Sequence, residues 1–369
     1  MLEPFIISLG SNIGNRIGFI YKALALIEEH PVTIRELSNV YETPSWGFDS
    51  TPFYNACAIL KTSLKPNALL KILLNVEDKL GRKRYSEKGY HDRTVDLDLL
   101  FYNNEIIFSK DLKIPHPKLH LRNFILKPLL DIAPKFKHPV LQKTITELNH
   151  HQLDKSKIIQ TNFDLSLPPI FKSFPFISIE GNIGVGKTTL AKMISKNYKV
   201  KFYSEDYNSN PHLENFYKDP LKHALRTESF FLNNRFENDK IFWQQNNDKV
   251  VADFCFFKCL VFAKQNLKKN DYNTFKKDFD HMMDKIKIPS LVIFLTKNFR
   301  ELEQQIKKRG RSFEREIKLT YLKKLEKGYN LIINNFEFPI LEYSLDNIDF
   351  SKNHFAFEKF LRAIFRASF

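Results

Sequence analysis

Cysteine is scarce in this chain of 369 residues, which holds only Cys57, Cys255 and Cys259. Three thiols cannot build the disulfide framework of a small secreted fold, and none has a histidine partner at zinc spacing. Cys255 and Cys259 lie four apart in an apolar run and read as a buried face. Glycine (11) and proline (17) are too few for a collagen-like or linker-like chain. No apolar run approaches the ~20 residues that a membrane-spanning helix needs. The opening Met1-Leu2-Glu3-Pro4-Phe5 has no basic segment followed by an apolar one, so no signal peptide is expected and the expected location is the cytoplasm.

What is present is an ordinary globular balance, 43% hydrophobic and 27% charged, over a length that favours two domains. The unusual number is charge: 57 Lys+Arg against 42 Asp+Glu give +15. Such an excess admits two partner classes, nucleic acid or small polyanions. The lysines are interleaved with Phe, Asn, Ile and Glu and form no dense tract, which reads as a solvated surface.

The first part alternates strand and helix patterns. Phe5–Leu9 reads as a strand, Arg16–Glu29 as a helix, Ile34–Tyr41 and Tyr54–Lys61 as strands, Pro66–Leu80 as a helix stopped by Gly81, and Val95–Tyr102 as a strand. This βαββαβ order predicts a ferredoxin-like α+β sandwich on a mainly antiparallel sheet. Periodicity fades through 151–174, around Pro168-Pro169. Phe176–Glu180, Lys249–Asp253 and Leu291–Leu295 then alternate with helical segments, the pattern of a parallel α/β sheet. The expected division is 1–160, a linker 161–174, and 175–369.

Gly181-Asn182-Ile183-Gly184-Val185-Gly186-Lys187-Thr188 fits the phosphate-loop pattern, with a strand before it and a helix after it. Its glycines let backbone N–H groups turn around phosphate oxygens at a helix N-terminus, through Thr189. Lys187 would reach the outer phosphates of ATP and Thr188 would hold Mg²⁺.

Downstream, Glu205, Asn210-Pro211, Phe230-Phe231-Leu232 with Arg235, Phe262-Ala263-Lys264 and Lys307-Lys308-Arg309-Gly310-Arg311 stand in order. With the loop, these motifs resemble the deoxynucleoside kinase family over roughly Phe176 to Tyr343. The resemblance implies a P-loop kinase fold in which Glu205 takes the proton of a sugar 5′-hydroxyl, Glu228 and Arg235 face the base, and the lid arginines Arg309 and Arg311 close over the phosphates. Asp206, beside Glu205, is the alternative acid; the register set by Asn210-Pro211 favours Glu205. Two departures stand out. Many relatives carry Gln where Glu228 stands, and an Asp/Glu-Arg-Ser segment where Ala252-Asp253-Phe254 stands, so an arginine that steadies the acid is missing.

In the first part, Asp96-Leu97-Asp98 falls in a strand, and a period of two puts both carboxylates on one face. Such a pair repels unless a hard cation lies between, and Mg²⁺ with ATP phosphates is the natural choice. Arg82, Lys83, Arg84, Lys88 and Arg93 precede it as a basic loop. Leu9-Gly10-Ser11-Asn12, Tyr41-Glu42-Thr43-Pro44, Phe53-Tyr54-Asn55-Ala56, Glu77 with Gly81-Arg82, Arg93-Thr94-Val95-Asp96-Leu97-Asp98, Pro115-His116 and Arg122-Asn123-Phe124 complete a series. Over roughly Phe5 to Asn149 this series resembles the 6-hydroxymethyl-7,8-dihydropterin pyrophosphokinase family.

That resemblance implies pyrophosphoryl transfer from ATP to a pterin alcohol, with two Mg²⁺ on Asp96 and Asp98. Phe53 and Phe124 would clamp the pterin. Asn55 and the backbone from Thr43 and Pro44 to Trp46 would read its edge. Arg82 and Arg93 would serve the transfer, and Glu77, His116 and Arg122 the ATP. Asp98 is also a candidate acceptor of the alcohol proton. This part departs from the family at Tyr90-His91-Asp92, where Gly-Pro is usual.

The reading is a bifunctional transferase using Mg²⁺ and ATP in both halves, with small-molecule substrates, no nucleic-acid or membrane partner, and a homodimer suggested by the kinase resemblance. Two alternatives stay open: a P-loop half acting as a non-catalytic nucleotide sensor, and a nucleic-acid-binding protein driven by charge.

Overall fold

The computed structural model describes residues 5–83, 89–246, 248–311, 314, 317–333 and 338–369. Met1 to Pro4, and Arg84 and Lys88 of the basic loop, lie outside the described residues. Contacts divide the chain into two compact units, one formed by Met1–Pro168 with Asn353–Phe369 and the other by Pro169–Lys352.

The first unit runs β1 (Phe5–Ser11), α1 (Arg16–Ile27), β2 (Val32–Leu37), β3 (Tyr41–Thr43), β4 (Phe53–Thr62), α2 (Pro66–Lys79) and β5 (Asp96–Tyr102). Next come the small hairpin β6 (Ile107–Phe108) and β7 (Lys113–Ile114), then α3 (Asn123–Ile132), α4 (Ile145–His150) and β8 (Ile159–Gln160). The main sheet is ordered β5-β1-β4-β3-β8, with β2 also on β4, and its pairs are antiparallel. The expected single strand Ile34–Tyr41 is two strands. Ser38 Oγ accepts the Cys57 N–H at 2.8 Å, so a side chain takes a bond that the ladder would otherwise make.

Lys65 precedes the helix start at Pro66, where the missing N–H costs nothing. Ile6, Leu100 and Phe101 of the sheet pack against Ile125, Leu126 and Leu129 of α3.

The second unit contains α5 (Ile170–Ser173), β9 (Phe176–Gly181), α6 (Lys187–Tyr198), β10 (Lys201–Tyr203), α7 (Leu213–Lys218), α8 (Pro220–Gln245) and β11 (Val250–Ala252). It continues with α9 (Lys258–Asn266), α10 (Lys269–Met283), β12 (Leu291–Thr296), α11 (Phe299–Arg309), α12 (Leu319–Ile333) and β13 (Ile340–Ser344). Its sheet, β10-β11-β9-β12-β13, is parallel throughout. The central strands are buried on both faces, as their unbroken Val/Ile/Phe runs require. Cys255 and Cys259 are buried free thiols in this core.

Two segments differ from the expected division. The stretch set down as a linker, 161–174, is packed with the first unit as far as Pro168: Thr161 N–H reaches Val40 O at 2.9 Å, and Tyr21 OH donates to Asp164 O at 2.7 Å. The last helix, α13 (His354–Arg366), also belongs to the first unit, although the expected second domain ran to residue 369. The reason lies in its apolar face. Phe357, Phe360, Leu361, Ile364 and Phe365 are buried, and each such side chain contributes about 1.5–3 kcal/mol. Arg362, 1% exposed, donates from Nε to Glu28 Oε2 at 2.6 Å and pairs with Glu358.

Candidate functional site

Each unit holds a cavity lined by the residues that the motifs single out. In the first, the register of β1 places Gly10 opposite Asn55 of β4 and Asp96 of β5. Glycine is required there, because a Cβ would stand 2.9 Å from Asn55 Oδ1. Asp96 and Asp98 share the cavity with Thr43, Pro44, Phe53, Asn55, Arg93, Arg122 and Phe124. Buried Asn55 donates to Thr43 Oγ1 at 2.8 Å, which fixes its amide. Arg93 lies over the Phe53 ring at 5.1 Å and Arg122 over the Phe124 ring at 5.5 Å, so aromatic and cationic walls alternate.

The carboxylates differ in company. Asp96 takes Arg82 at 2.5 Å and Arg93 at 2.9 Å, while Asp98 has Arg122 at 3.8 Å. Burial, and then the charge of Asp96, push Asp98 up to about 7 against the pull of Arg122, Arg93 and Arg82. Two hard oxygen donors on one strand face fit a divalent cation.

Three residues expected at this site lie outside the cavity lining. Glu77 is buried, accepts the Leu97 N–H at 2.8 Å and pairs with Arg82, so it supports the arginine and the strand. Arg82 reaches the site through its pair with Asp96. His116 is pushed down to about 4 by burial and the Arg122 charge, and is neutral at physiological pH.

The departure at Tyr90-His91-Asp92 acquires a structure. Tyr90 joins Trp46 and Phe48 in the cavity wall, and its hydroxyl accepts from Arg122 and Lys118 at 3.3 Å. Asp92 takes Asn12 Nδ2 at 2.6 Å and the Ser50 hydroxyl, latching one loop to the other.

In the second unit the phosphate loop joins β9 to α6. Gly181 (φ +143°) admits the close approach of Leu295 O, which would lie 2.3 Å from a Cβ. At Gly184 (φ +81°) a Cβ would meet Ile306 at 2.7 Å. Lys187 Nζ donates to the carbonyls of Gly181 and Asn182, and burial and Lys258 push it down to about 8. Val185, Gly186 and Thr189 line the open groove on the helix side, with Arg309 and Arg311.

A second cavity, beside this groove, collects Ile183, Gly184, Lys187, Thr188, Glu205, Glu228, Arg235, Arg309 and Arg311. Asp206 is exposed and outside it, which separates the two candidate acids. Glu205 is gripped on both oxygens. Oε1 takes Arg235 at 2.5 Å and Oε2 takes Lys258 at 2.6 Å. Burial alone would raise this carboxyl, but Lys258 and Arg235 hold it far below the usual carboxylate range. Arg309 and Arg311 both pair with Glu314.

Two residues of this site escape the sequence reading. Lys258, at the start of α9, gives Glu205 its second cation. Asp253 accepts the Thr188 hydroxyl at 2.5 Å and the Glu205 N–H at 2.8 Å. Its place at the end of a central parallel strand is the signal that could have found it. Thr188 with Asp253 is a second oxygen pair suited to a hard cation. Among the described residues no group of three or more His, Cys, Asp or Glu could hold a metal ion without other ligands.

A phosphate loop feeding an acid-and-arginine cavity, and a carboxylate pair walled by arginines and aromatic rings, define two phosphotransfer centres. Residues 6–134 match the family 7,8-dihydro-6-hydroxymethylpterin-pyrophosphokinase, and residues 177–368 match the deoxynucleoside kinase family. The chain belongs to both families, one in each part. It is 42% identical over 142 residues to the 2-amino-4-hydroxy-6-hydroxymethyldihydropteridine pyrophosphokinase of Aquifex aeolicus, covering 38% of this chain and 87% of that protein. It is 32% identical over 193 residues to the deoxyguanosine kinase of Bacillus subtilis, covering 50% and 93%. With the folic acid synthesis protein fol1 of Pneumocystis carinii it shares 40% over 172 residues, covering 46% of this chain and 22% of that longer protein. The second family match runs through α13, the helix that packs with the first unit.

Proposed function

We propose that the chain is a bifunctional transferase whose two units each use ATP with Mg²⁺. The first unit transfers a pyrophosphoryl group to 6-hydroxymethyl-7,8-dihydropterin. The second phosphorylates the 5′-hydroxyl of a deoxynucleoside. The observation that carries this reading is that the two sets of motif residues line two separate cavities, each with acid, cations and aromatic walls together. Mg²⁺ would be held by Asp96 and Asp98 in one centre and by Thr188 and Asp253 in the other, and would supply charge neutralisation for the phosphates.

In the first unit, Phe53 and Phe124 hold the flat pterin ring and Asn55 reads its polar edge. The pterin hydroxyl oxygen bonds to the β-phosphorus of ATP while the bond from that phosphorus to the α-phosphate oxygen breaks, releasing AMP, and the hydroxyl proton passes to Asp98. Arg93 and Arg122 neutralise the transferred group. We read the sheet order β5-β1-β4-β3 as a ferredoxin-like variant that places these groups on one face.

In the second unit, Glu205 stays ionised and accepts a hydrogen bond from the 5′-hydroxyl. A carboxylate so strongly held is a weak base, so it first orients the oxygen and takes the proton late, once bonding to the γ-phosphorus has made the hydroxyl acidic. This suits a loose transition state in which little bonding to the nucleophile is needed early. The 5′-oxygen bonds to the γ-phosphorus, ADP departs, and Lys187, Arg309 and Arg311 balance the spread charge. The relative named deoxyguanosine kinase brings deoxyguanosine forward among the acceptors.

The direct experiment is turnover of the full chain with ATP, Mg²⁺ and either the pterin or each deoxynucleoside. AMP formation with the pterin and ADP formation with a deoxynucleoside are expected. Binding of ATP by the second unit without any deoxynucleoside monophosphate would favour the nucleotide-sensor alternative.

A further inference from the structure

Among the residues lining the kinase cavity of the second unit is Glu228, a carboxylic acid 3% exposed on α8. Glu228 lies seven residues before Arg235, two helical turns along one face. The side chain that anchors Glu205 and the carboxyl of Glu228 are therefore carried by one rigid helix. Asn266, the last residue of α9, donates from Nδ2 to Glu228 Oε1 at 2.7 Å and to the Tyr321 hydroxyl at 3.2 Å. Among the described residues no group donates to Oε2. Tyr217, Phe231 and Phe262 supply flat walls beside it.

An ionised carboxylate only accepts hydrogen bonds, while a protonated one donates one and accepts others. The nucleobases divide on that difference. Guanine offers two adjacent donors, N1–H and the exocyclic amino N–H. Adenine offers one amino donor beside the bare acceptor N1, and cytosine has the same donor–acceptor pair. A polar site that leaves such an acceptor facing a lone pair rejects the base strongly. Glutamine, which donates and accepts, would not draw this line.

We propose that Glu228 is the specificity-determining residue of the second unit: its ionised carboxylate selects guanine through N1–H and the exocyclic amino N–H, and its protonated form admits adenine. The proposal rests on the reading of this unit as a deoxynucleoside kinase.

The charge state is poised. Burial pushes the Glu228 carboxyl up to about 7, against the pull of Asn266, Arg235 and Lys258, with Glu205 pushing the same way as burial. The groups facing it are Arg235 on α8, Lys258 and Cys259 on α9, Glu205 after β10, Tyr217 on α7 and Tyr321 on α12. Burial raises Tyr217, Tyr321 and Cys259, which keeps them neutral near pH 7, and Glu205 stays ionised. Lys187 titrates at about 8 in the same cavity, but it serves ATP and affects every acceptor alike. A ratio of two acceptors therefore isolates Glu228.

The test uses the full chain, with kcat/KM for deoxyguanosine and deoxyadenosine measured from pH 6 to pH 8. If one acceptor needs the ionised form and the other the protonated form, their ratio rises about tenfold per pH unit. Glu228→Gln should flatten that slope and lower kcat/KM for deoxyguanosine by about 10- to 100-fold. Calorimetry without ATP, in buffers of different ionisation enthalpy, should show proton release on binding deoxyguanosine and uptake on binding deoxyadenosine. A pH-independent ratio with both nucleosides turned over overturns the role of Glu228 and leaves the kinase reading intact. No phosphorylation of any deoxynucleoside overturns the kinase reading and this proposal with it. Should the variant fail to fold, judged by lost pyrophosphokinase activity and ATP binding, the slope of the unaltered chain decides alone.

Discussion

Replacing Lys258 with methionine removes one of the two cations on Glu205 while keeping the side chain's length. The Lys258–Glu205 pair spans 2.6 Å between groups 10% and 13% exposed, so solvent screens it weakly. At an effective dielectric constant near 20, an ion pair about 4 Å apart is worth roughly 4 kcal/mol before desolvation is subtracted. Arg235 remains on Oε1, so the acid stays in the cavity but loses its second restraint. A lost electrostatic contact at a reacting centre costs about 10²–10³ in kcat, or roughly 3–4 kcal/mol.

Lys258→Met should therefore lower kcat for deoxynucleoside phosphorylation by that factor, with a much smaller change in KM. Glu205 is depressed in the folded protein, so it is ionised above its low folded value and protonates only as pH falls through it. Without Lys258 that value rises, and an acid limb should enter the kcat profile as pH falls toward 5. Lys258→Arg keeps the charge and should recover most of the loss. The pyrophosphokinase activity of the same preparation reports folding. A Lys258→Met kcat within about threefold of the parent, with no acid limb, would refute the positioning role.

Other expectations follow from burial. Arg362→Met leaves Glu28 charged and buried in the first unit, which should cost about 3–5 kcal/mol; urea titration should show an earlier loss of pyrophosphokinase activity than of kinase activity. Burial pushes His138 from 6.5 to about 4, and its Nδ1 accepts the N–H groups of Val140 and Leu141. The neutral form is favoured on folding, so its stabilisation is complete above 6.5 and is lost as pH falls toward 4, by about 3 kcal/mol. His138→Gln should flatten the fall in urea midpoint between pH 6.5 and 4.

The parts legible in sequence are those whose meaning is local. The phosphate loop declares itself because strand, glycines, lysine and helix are consecutive, and Asp96-Leu97-Asp98 because strand periodicity fixes two side chains at once. Lys258 is illegible because its role depends on meeting Glu205, fifty-three residues earlier, through the packing of α9 on α8. Glu77 looks like a ligand from its motif, yet the fold turns it to Leu97 and Arg82. The apolar face of α13 is plain in sequence, but its partner is not: Arg362 meets Glu28 across 334 residues, a pairing that no local pattern encodes.

The central claim is that two independent phosphotransfer centres share one chain. A crossed pair of variants tests it most directly. Lys187→Ala should abolish deoxynucleoside phosphorylation and leave AMP formation with the pterin within about twofold of the parent chain. Asp98→Asn should do the reverse. Loss of both activities in either variant, or survival of deoxynucleoside phosphorylation in Lys187→Ala, would contradict the account.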